Sequence, residues 1–142
     1  MRRLLAIALI AAQPAQAWEF TPGLPCLLTH STDQGIIELT HDPRGPHYTI
    51  TLTRPDPWMA NPTFAIRFDG DNPNTIVTDR HVLSDDGLSL TVADTGFGNV
   101  LDGIVFNTTA TATTGQSRFA FPLDGADGPV EAFRACAERP AA

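Results

Sequence analysis

The amino-acid sequence predicts a mainly β fold, an antiparallel sandwich or partly open barrel with one short C-terminal helix. Short segments in which apolar and polar residues alternate recur along the chain, as is typical of half-buried strands. Twelve prolines and eleven glycines are scattered between these segments rather than gathered in a linker. Apolar residues with helical spacing occur near the C-terminus, at Val130, Phe133 and Ala137.

Residues 1–17 have the features of a signal peptide. Two arginines precede the apolar run Leu4–Ala12, and an A-x-A cleavage sequence ends at Ala17. The run is much shorter than the roughly 20 residues of a membrane-spanning helix; an uncleaved N-terminal anchor is the alternative. We therefore expect a periplasmic or secreted protein, with a single β-rich domain over 18–142 and no membrane span in the mature chain.

The chain has two cysteines, Cys26 and Cys136. In an oxidising compartment an even pair predicts a disulfide. It would close a loop of about 110 residues, for which chain entropy gives on the order of 4–5 kcal/mol. The alternative is a catalytic thiol, but Cys136 lies near the end of its helix, away from the N-terminus that would activate it.

The charge of the chain is strongly acidic. Sixteen Asp and Glu oppose nine basic residues, all of them arginine, and the formal net charge is −7. Cleavage after residue 17 would remove two arginines and leave seven against sixteen acids, a charge of −9. Such a balance argues against binding to nucleic acid or to anionic membrane surfaces, both of which require clustered Lys and Arg.

Eight segments are predicted to be strands, and the proline-broken lead-in Trp18–Pro25 precedes them. The predicted strands are Cys26–His30, Ile36–Thr40, His47–Arg54, Thr63–Phe68, Thr75–Leu83, Leu88–Val92, a Thr/Ala strand from Val105 through Thr113, and Ser117–Leu123. Turns rich in Asp, Gly and Pro separate them, including a hairpin signal at Asp86-Gly87. Asp127 or Gly128 is the expected N-cap of the final helix.

The alternation also predicts which side chains face the core. They are Ile37, Leu39, Tyr48, Ile50, Leu52, Phe64, Ile66, Phe68, Leu88, Leu90, Val92, Phe119, Phe121 and Leu123.

Two loops are candidates for binding. The first, Pro55–Pro62, has too many prolines for a strand and carries Trp58 and Met59. An exposed tryptophan on a rigid loop is a common binding anchor, but such a residue equally often closes one end of a sandwich or barrel. The second loop, Gly96–Gly103, carries Phe97 and Asn99, and one helical turn is expected over Val100–Ile104.

Asp79, Arg80 and His81 concentrate an acid, a cation and an imidazole in one predicted strand. On a strand Asp79 and His81 share a face, so the carboxylate can orient the imidazole, with Ser84 or Ser89 as the nucleophile of a hydrolase. No nucleophile motif such as G-x-S-x-G accompanies them. A polar outer strand face explains the same residues.

The sequence predicts neither a metal site nor a cofactor. The acidic segment 69–74 resembles a calcium loop, but Pro73 and Arg80 occupy positions where an EF-hand needs ligands, so a turn is favoured. His41 and His47 flank one turn with Asp42 between them, which is the best metal candidate available. The alternative for these histidines is a solvated position at strand ends.

Taken together, the chain resembles small exported alphaproteobacterial proteins of the Rhodobacter group, whose function is unknown. The resemblance covers most of the mature chain and rests on the segments 18–23, 48–54, 78–81, 96–103, 121–125 and 132–136. Some such proteins are labelled as the B component of excinuclease ABC, a helicase function that needs a P-loop and basic surface that this sequence lacks. The last fifth of the chain is also remotely similar to the invasion-associated locus B family. Neither resemblance implies a catalytic motif.

The function that these observations favour is a non-enzymatic periplasmic binding or accessory module, whose partner is an unknown protein or small ligand of the envelope. The first alternative is an inhibitor of a cationic envelope-targeting enzyme, similar to lysozyme inhibitors, because the acidic surface suits such a partner. The second is the hydrolase described above. The candidate binding residues are Trp58, Met59, Asp79, Arg80, His81, Phe97 and Asn99.

Overall fold

A computed structural model describes residues 18–45 and 47–138, so the predicted signal peptide lies outside the described part. The fold is a sandwich of two antiparallel sheets with two helices, and the sheets do not close into a barrel. The elements are β1 Glu19–Thr21, β2 Cys26–Thr32, β3 Gly35–Asp42, β4 His47–Thr53, β5 Phe64–Asp69, β6 Asn74–Thr78, β7 Val82–Leu83, β8 Ser89–Asp94, α1 Gly98–Val105, β9 Thr109–Thr114, β10 Ser117–Pro122 and α2 Asp127–Glu138.

The first sheet has six strands in the order β1-β2-β3-β4-β8-β7. The second has four strands in the order β10-β9-β5-β6. Most neighbours are joined by hairpins, but β4 pairs with β8 from Tyr48↔Asp94 to Thr53↔Ser89. The intervening chain builds β5 and β6 in the other sheet before it returns, which places the edge of one sheet opposite an edge of the other.

The core lies between the two sheets, and the predicted alternation is confirmed in it. Twelve of the fourteen residues predicted to face inward are buried, while Tyr48 and Leu88 are half-buried. Burial of these side chains on one face of each sheet is the main source of stability in such a sandwich.

The predicted disulfide between Cys26 and Cys136 is present, with Cα atoms 6.6 Å apart. It joins the start of β2 to α2. This helix presents Val130 and Phe133 to the core, where both are fully buried. Among the described residues, no helix is long and apolar enough to cross a membrane.

Several strand boundaries differ from the prediction by one or two residues, and two differences are larger. The lead-in contains the short strand β1, which pairs with β2 from Glu19↔Thr29 and stops before Pro22, since proline cannot extend a ladder. The helical turn expected over Val100–Ile104 is a longer helix that includes Val105, so the following strand begins only at Thr109. The helix extends because its apolar residues lie on one face and are buried against the core.

Candidate functional site: a cleft at the open side of the sandwich

The segment Thr75–Leu83 is not one strand, and this prediction was wrong. Its first half is β6, which pairs with β5 in the second sheet, whereas Val82 and Leu83 form β7 and pair with β8 in the first sheet. Residues 79–81 cross between the sheets. The Arg80 backbone N–H donates to Thr78 Oγ1 at 3.1 Å, a local bond that replaces the ladder where the chain turns away.

This crossing leaves one side of the sandwich open. The short β7 pairs with β8 only at Leu90 and Thr91, so residues 92–94 of β8 have no strand beside them on that side among the described residues. In the other sheet, β6 is the edge strand. A gap therefore separates the last residues of β8 from β6.

A cleft of about 180 Å³, which we call the side cleft, occupies this gap. Its apolar lining comes from both sheets and from the start of α1, and it consists of Ile50, Phe64, Ile66, Ile76, Val77, Val92, Phe97 and Val100. Thr78, Arg80, Asp94, Gly96 and Asn99 complete the lining. The arrangement of an apolar interior with a few polar groups is typical of ligand sites.

The rim of the side cleft carries two opposite charges held close together. Arg80 Nη2 lies 2.7 Å from Asp94 Oδ2, and the Thr95 backbone N–H donates to Asp94 Oδ1 at 2.7 Å. The Thr95 N–H and, next, the Arg80 guanidinium hold the pKa of Asp94 below its usual value. The carboxylate is therefore charged at neutral pH, and the rim presents a fixed ion pair to whatever enters.

The structure brings three of the predicted site residues, Arg80, Phe97 and Asn99, together at the side cleft. Phe97 is buried and Asn99 is exposed, so the former contributes to the interior and the latter to the rim. Of the two residues predicted in this loop, Phe97 therefore supplies apolar surface and Asn99 supplies a polar group.

Trp58 lies behind the side cleft rather than on the surface. Its side chain is only 3% exposed, its ring meets that of Phe64 edge-on, and its indole N–H donates to the Leu52 carbonyl at 3.0 Å. Met59 is 44% exposed, and its backbone bonds to Ser117 Oγ and Thr114 Oγ1 in the second sheet. Of the two interpretations of this loop, the geometry favours the one in which it closes an end of the sandwich.

Asp79 and His81 are not assembled as a catalytic pair. His81 Nε2 lies 2.9 Å from the Asn61 carbonyl oxygen, and its ring packs against Phe64. Asp79 is exposed on the crossing segment and has no hydrogen bond or ion pair to His81 among the described residues. The two serines considered as nucleophiles bond elsewhere, Ser84 to Asp86 and Ser89 to Thr53.

His41 and His47, the pair considered as a metal site, lie in different environments. His41 is buried and stacks on Tyr48 with ring centroids 4.1 Å apart, whereas His47 is exposed. The alternative of a solvated position was therefore wrong for His41. His30 is also buried, and its ring stacks on Trp18. In the described ranges, no group of three or more His, Cys, Asp or Glu side chains is placed to hold a metal ion.

Sequence reasoning missed most of the lining. Gly96 and Val100 lie in the loop Gly96–Gly103 that was predicted as a candidate for binding. The missed residues are Ile76, Val77, Thr78, Val92 and Asp94, together with the core residues Ile50, Phe64 and Ile66. Each was assigned to a strand or loop, but its proximity to the others depends on the pairing of distant strands. The one sequence feature that indicated the side cleft was the Gly-rich segment after β8, which contains Phe97 and Asn99.

Comparison of the chain with protein-family models, with curated proteins and with solved structures finds no match.

Proposed function

We propose that this protein is a binding module of the bacterial envelope that holds an apolar group of its partner or ligand in the side cleft. The observation that carries the proposal is the apolar cavity between β6 and the unpaired end of β8. Apolar side chains that line a cleft gain free energy when a ligand displaces water from them. The disulfide between Cys26 and Cys136 supports an oxidising compartment such as the periplasm.

The size of the side cleft limits what it can take. An apolar cavity of about 150 Å³ in another protein admits one benzene ring. The side cleft, at about 180 Å³, has room for one aromatic or branched aliphatic group and not for an extended lipid tail. Arg80, Asp94 and Asn99 are then left to bond polar atoms of the ligand outside the cavity.

The proposal is tested with a neutral apolar fluorophore, N-phenyl-1-naphthylamine, whose phenyl ring is of the size that the side cleft admits and whose emission rises when it leaves water. We expect saturable binding at one site per chain. Ile76→Trp, which fills the side cleft, should abolish that binding. The matched control is Ile36→Trp, because Ile36 is exposed on the first sheet and does not line the cleft.

Asn99→Trp on the exposed rim gives a second blocking variant if Ile76→Trp fails to fold, as judged by thermal melting. Equal binding of the fluorophore to the wild type, both blocking variants and the control would contradict the proposal. So would the absence of saturable binding to the wild type.

A further inference from the structure

The edge of β6 differs from the other sheet edges in the described part of the chain. Natural proteins protect edge strands from pairing with other chains by short length, proline or charged side chains. The edge strands β1 and β7 have three and two residues, and β10 carries Arg118 and ends at Pro122. In contrast, β6 has five residues, NTIVT, with no proline and no charge.

Two further observations concern the side of β6 that does not pair with β5. Val77, the fourth residue of β6, is 62% exposed. On the described chain, β6 pairs with β5 on one side and with no strand on the other. Alternate residues of an antiparallel edge strand direct their N–H and C=O groups away from the partner strand. Main-chain donors and acceptors that no described strand pairs therefore lie beside the side cleft.

We propose that the occupant of this site is an extended peptide segment that adds to β6 as a fifth strand of the second sheet. One of its apolar side chains enters the side cleft while its backbone bonds to β6. This inference rests on the proposed function, since it uses the same cleft. Strand addition of this kind obtains affinity from main-chain hydrogen bonds and specificity from a pocket for alternate side chains.

The charges around β6 indicate the composition of that segment. Asp71 precedes the strand and Asp79 follows it, both exposed and with no ion pair among the described residues. Five residues of strand span about 17 Å, so these carboxylates lie near the two ends of an added strand. A segment with an apolar centre and basic residues at both ends complements them. The net charge of −7 favours approach of such a cationic partner.

The test uses a synthetic peptide, Arg-Ser-Thr-Val-Leu-Val-Thr-Ser-Arg, capped at both ends. Two derivatives carry N-methyl groups at alternate sets of backbone nitrogens, which removes main-chain donors but keeps every side chain. Strand addition predicts that one derivative binds at least roughly tenfold more weakly and that the other binds nearly as well as the parent. Amides of β6 that exchange freely with solvent should become protected in the complex.

Variants at two exposed valines provide the matched control. Val77→Lys places a charge on the edge of β6 opposite the apolar centre of the peptide, and it should lower affinity by at least roughly tenfold. Val82→Lys makes the same change on β7 at a residue that is 67% exposed, and it should leave affinity unchanged.

Three results would overturn the inference. Equal binding by both N-methylated derivatives would show recognition through side chains alone. Absence of peptide binding by a protein that still binds the naphthylamine fluorophore would reject the peptide and leave the proposed function standing. A concentration-dependent dimer in which the β6 amides are protected without peptide would instead identify a second copy of the chain as the occupant.

Discussion

The ring of Trp58 meets the ring of Phe64 edge-on, with centroids 6.3 Å apart and an interplanar angle of 89°. Trp58 is bonded to the first sheet through the Leu52 carbonyl, whereas Phe64 belongs to β5 of the second sheet. The contact therefore joins the two sheets. It also supports the side cleft, because Phe64 forms part of its apolar lining.

Replacement of Trp58 should destabilise the fold in two measurable steps. Trp58→Phe loses the hydrogen bond to Leu52 and should lower the free energy of unfolding by about 1–2 kcal/mol. Trp58→Ala also leaves a cavity and should lower it by about 3–5 kcal/mol. Urea unfolding of the three proteins measures both values. A change below about 0.5 kcal/mol in Trp58→Ala is the outcome expected of a surface substitution and would contradict the packed position.

Two glycines of α1 should respond in opposite ways to alanine. A Cβ on Gly103 would lie 2.6 Å from the Phe68 ring, so Gly103→Ala should overpack the core and destabilise by about 1–3 kcal/mol. Gly98 begins the same helix, and a Cβ added there would meet no atom of the rest of the fold within 4 Å, so Gly98→Ala should be neutral or slightly stabilising. Thermal melting compares the pair, and equal melting temperatures would show that α1 does not pack on Phe68.

The disulfide should contribute substantially to stability. Cys26 and Cys136 are separated by 110 residues, and chain entropy gives on the order of 4–5 kcal/mol for a loop of that length. The double variant with both cysteines changed to alanine should lose about 2–5 kcal/mol in urea unfolding. A reductant should destabilise the wild type but not the double variant. Equal destabilisation of the wild type and the double variant by the reductant would contradict the prediction, because the double variant has no disulfide to reduce.

His41 should make stability depend on pH below neutrality. Burial lowers its pKa from the ordinary 6.5, against opposing effects of the His47 backbone and of Asp42. The unfolded chain then binds the proton first, so stability is intact above pH 6.5 and is lost as pH falls from there toward the folded pKa. His41→Phe keeps the ring stack on Tyr48 and removes the titration. The difference in unfolding free energy between wild type and variant should therefore change between pH 7.5 and 5, and a constant difference would contradict the burial.

The strands could be predicted where their two faces differ in polarity. Phe64, Ile66 and Phe68 alternate with more polar residues, and all three are buried as expected. The same alternation also accounts for the burial of His41, for which a solvated position had been the alternative. His41 has the same parity as Ile37 and Leu39, so the alternation alone places it on the buried face.

The side cleft could not be predicted because it depends on pairing between distant segments. The segment Thr75–Leu83 was predicted as one strand, but the pairing of Val82 with Thr91 places its second half in the other sheet. Local sequence carries no record of that partner, since any strand of suitable polarity can pair there. Arg80 and Asp94, fourteen residues apart, meet at the rim only as a result of this crossing.

The central claim is that the side cleft is where this protein binds its ligand. Its most direct test is a titration of ¹⁵N-labelled protein with the naphthylamine fluorophore, followed by two-dimensional NMR. We predict saturable shifts, at one equivalent, of the amides of Val77, Thr78 and Asn99, which line the cleft. The amides of Thr29 and Thr111 on other strands should not move. Shifts confined to those distant positions, or no saturable shift at all, would contradict the claim.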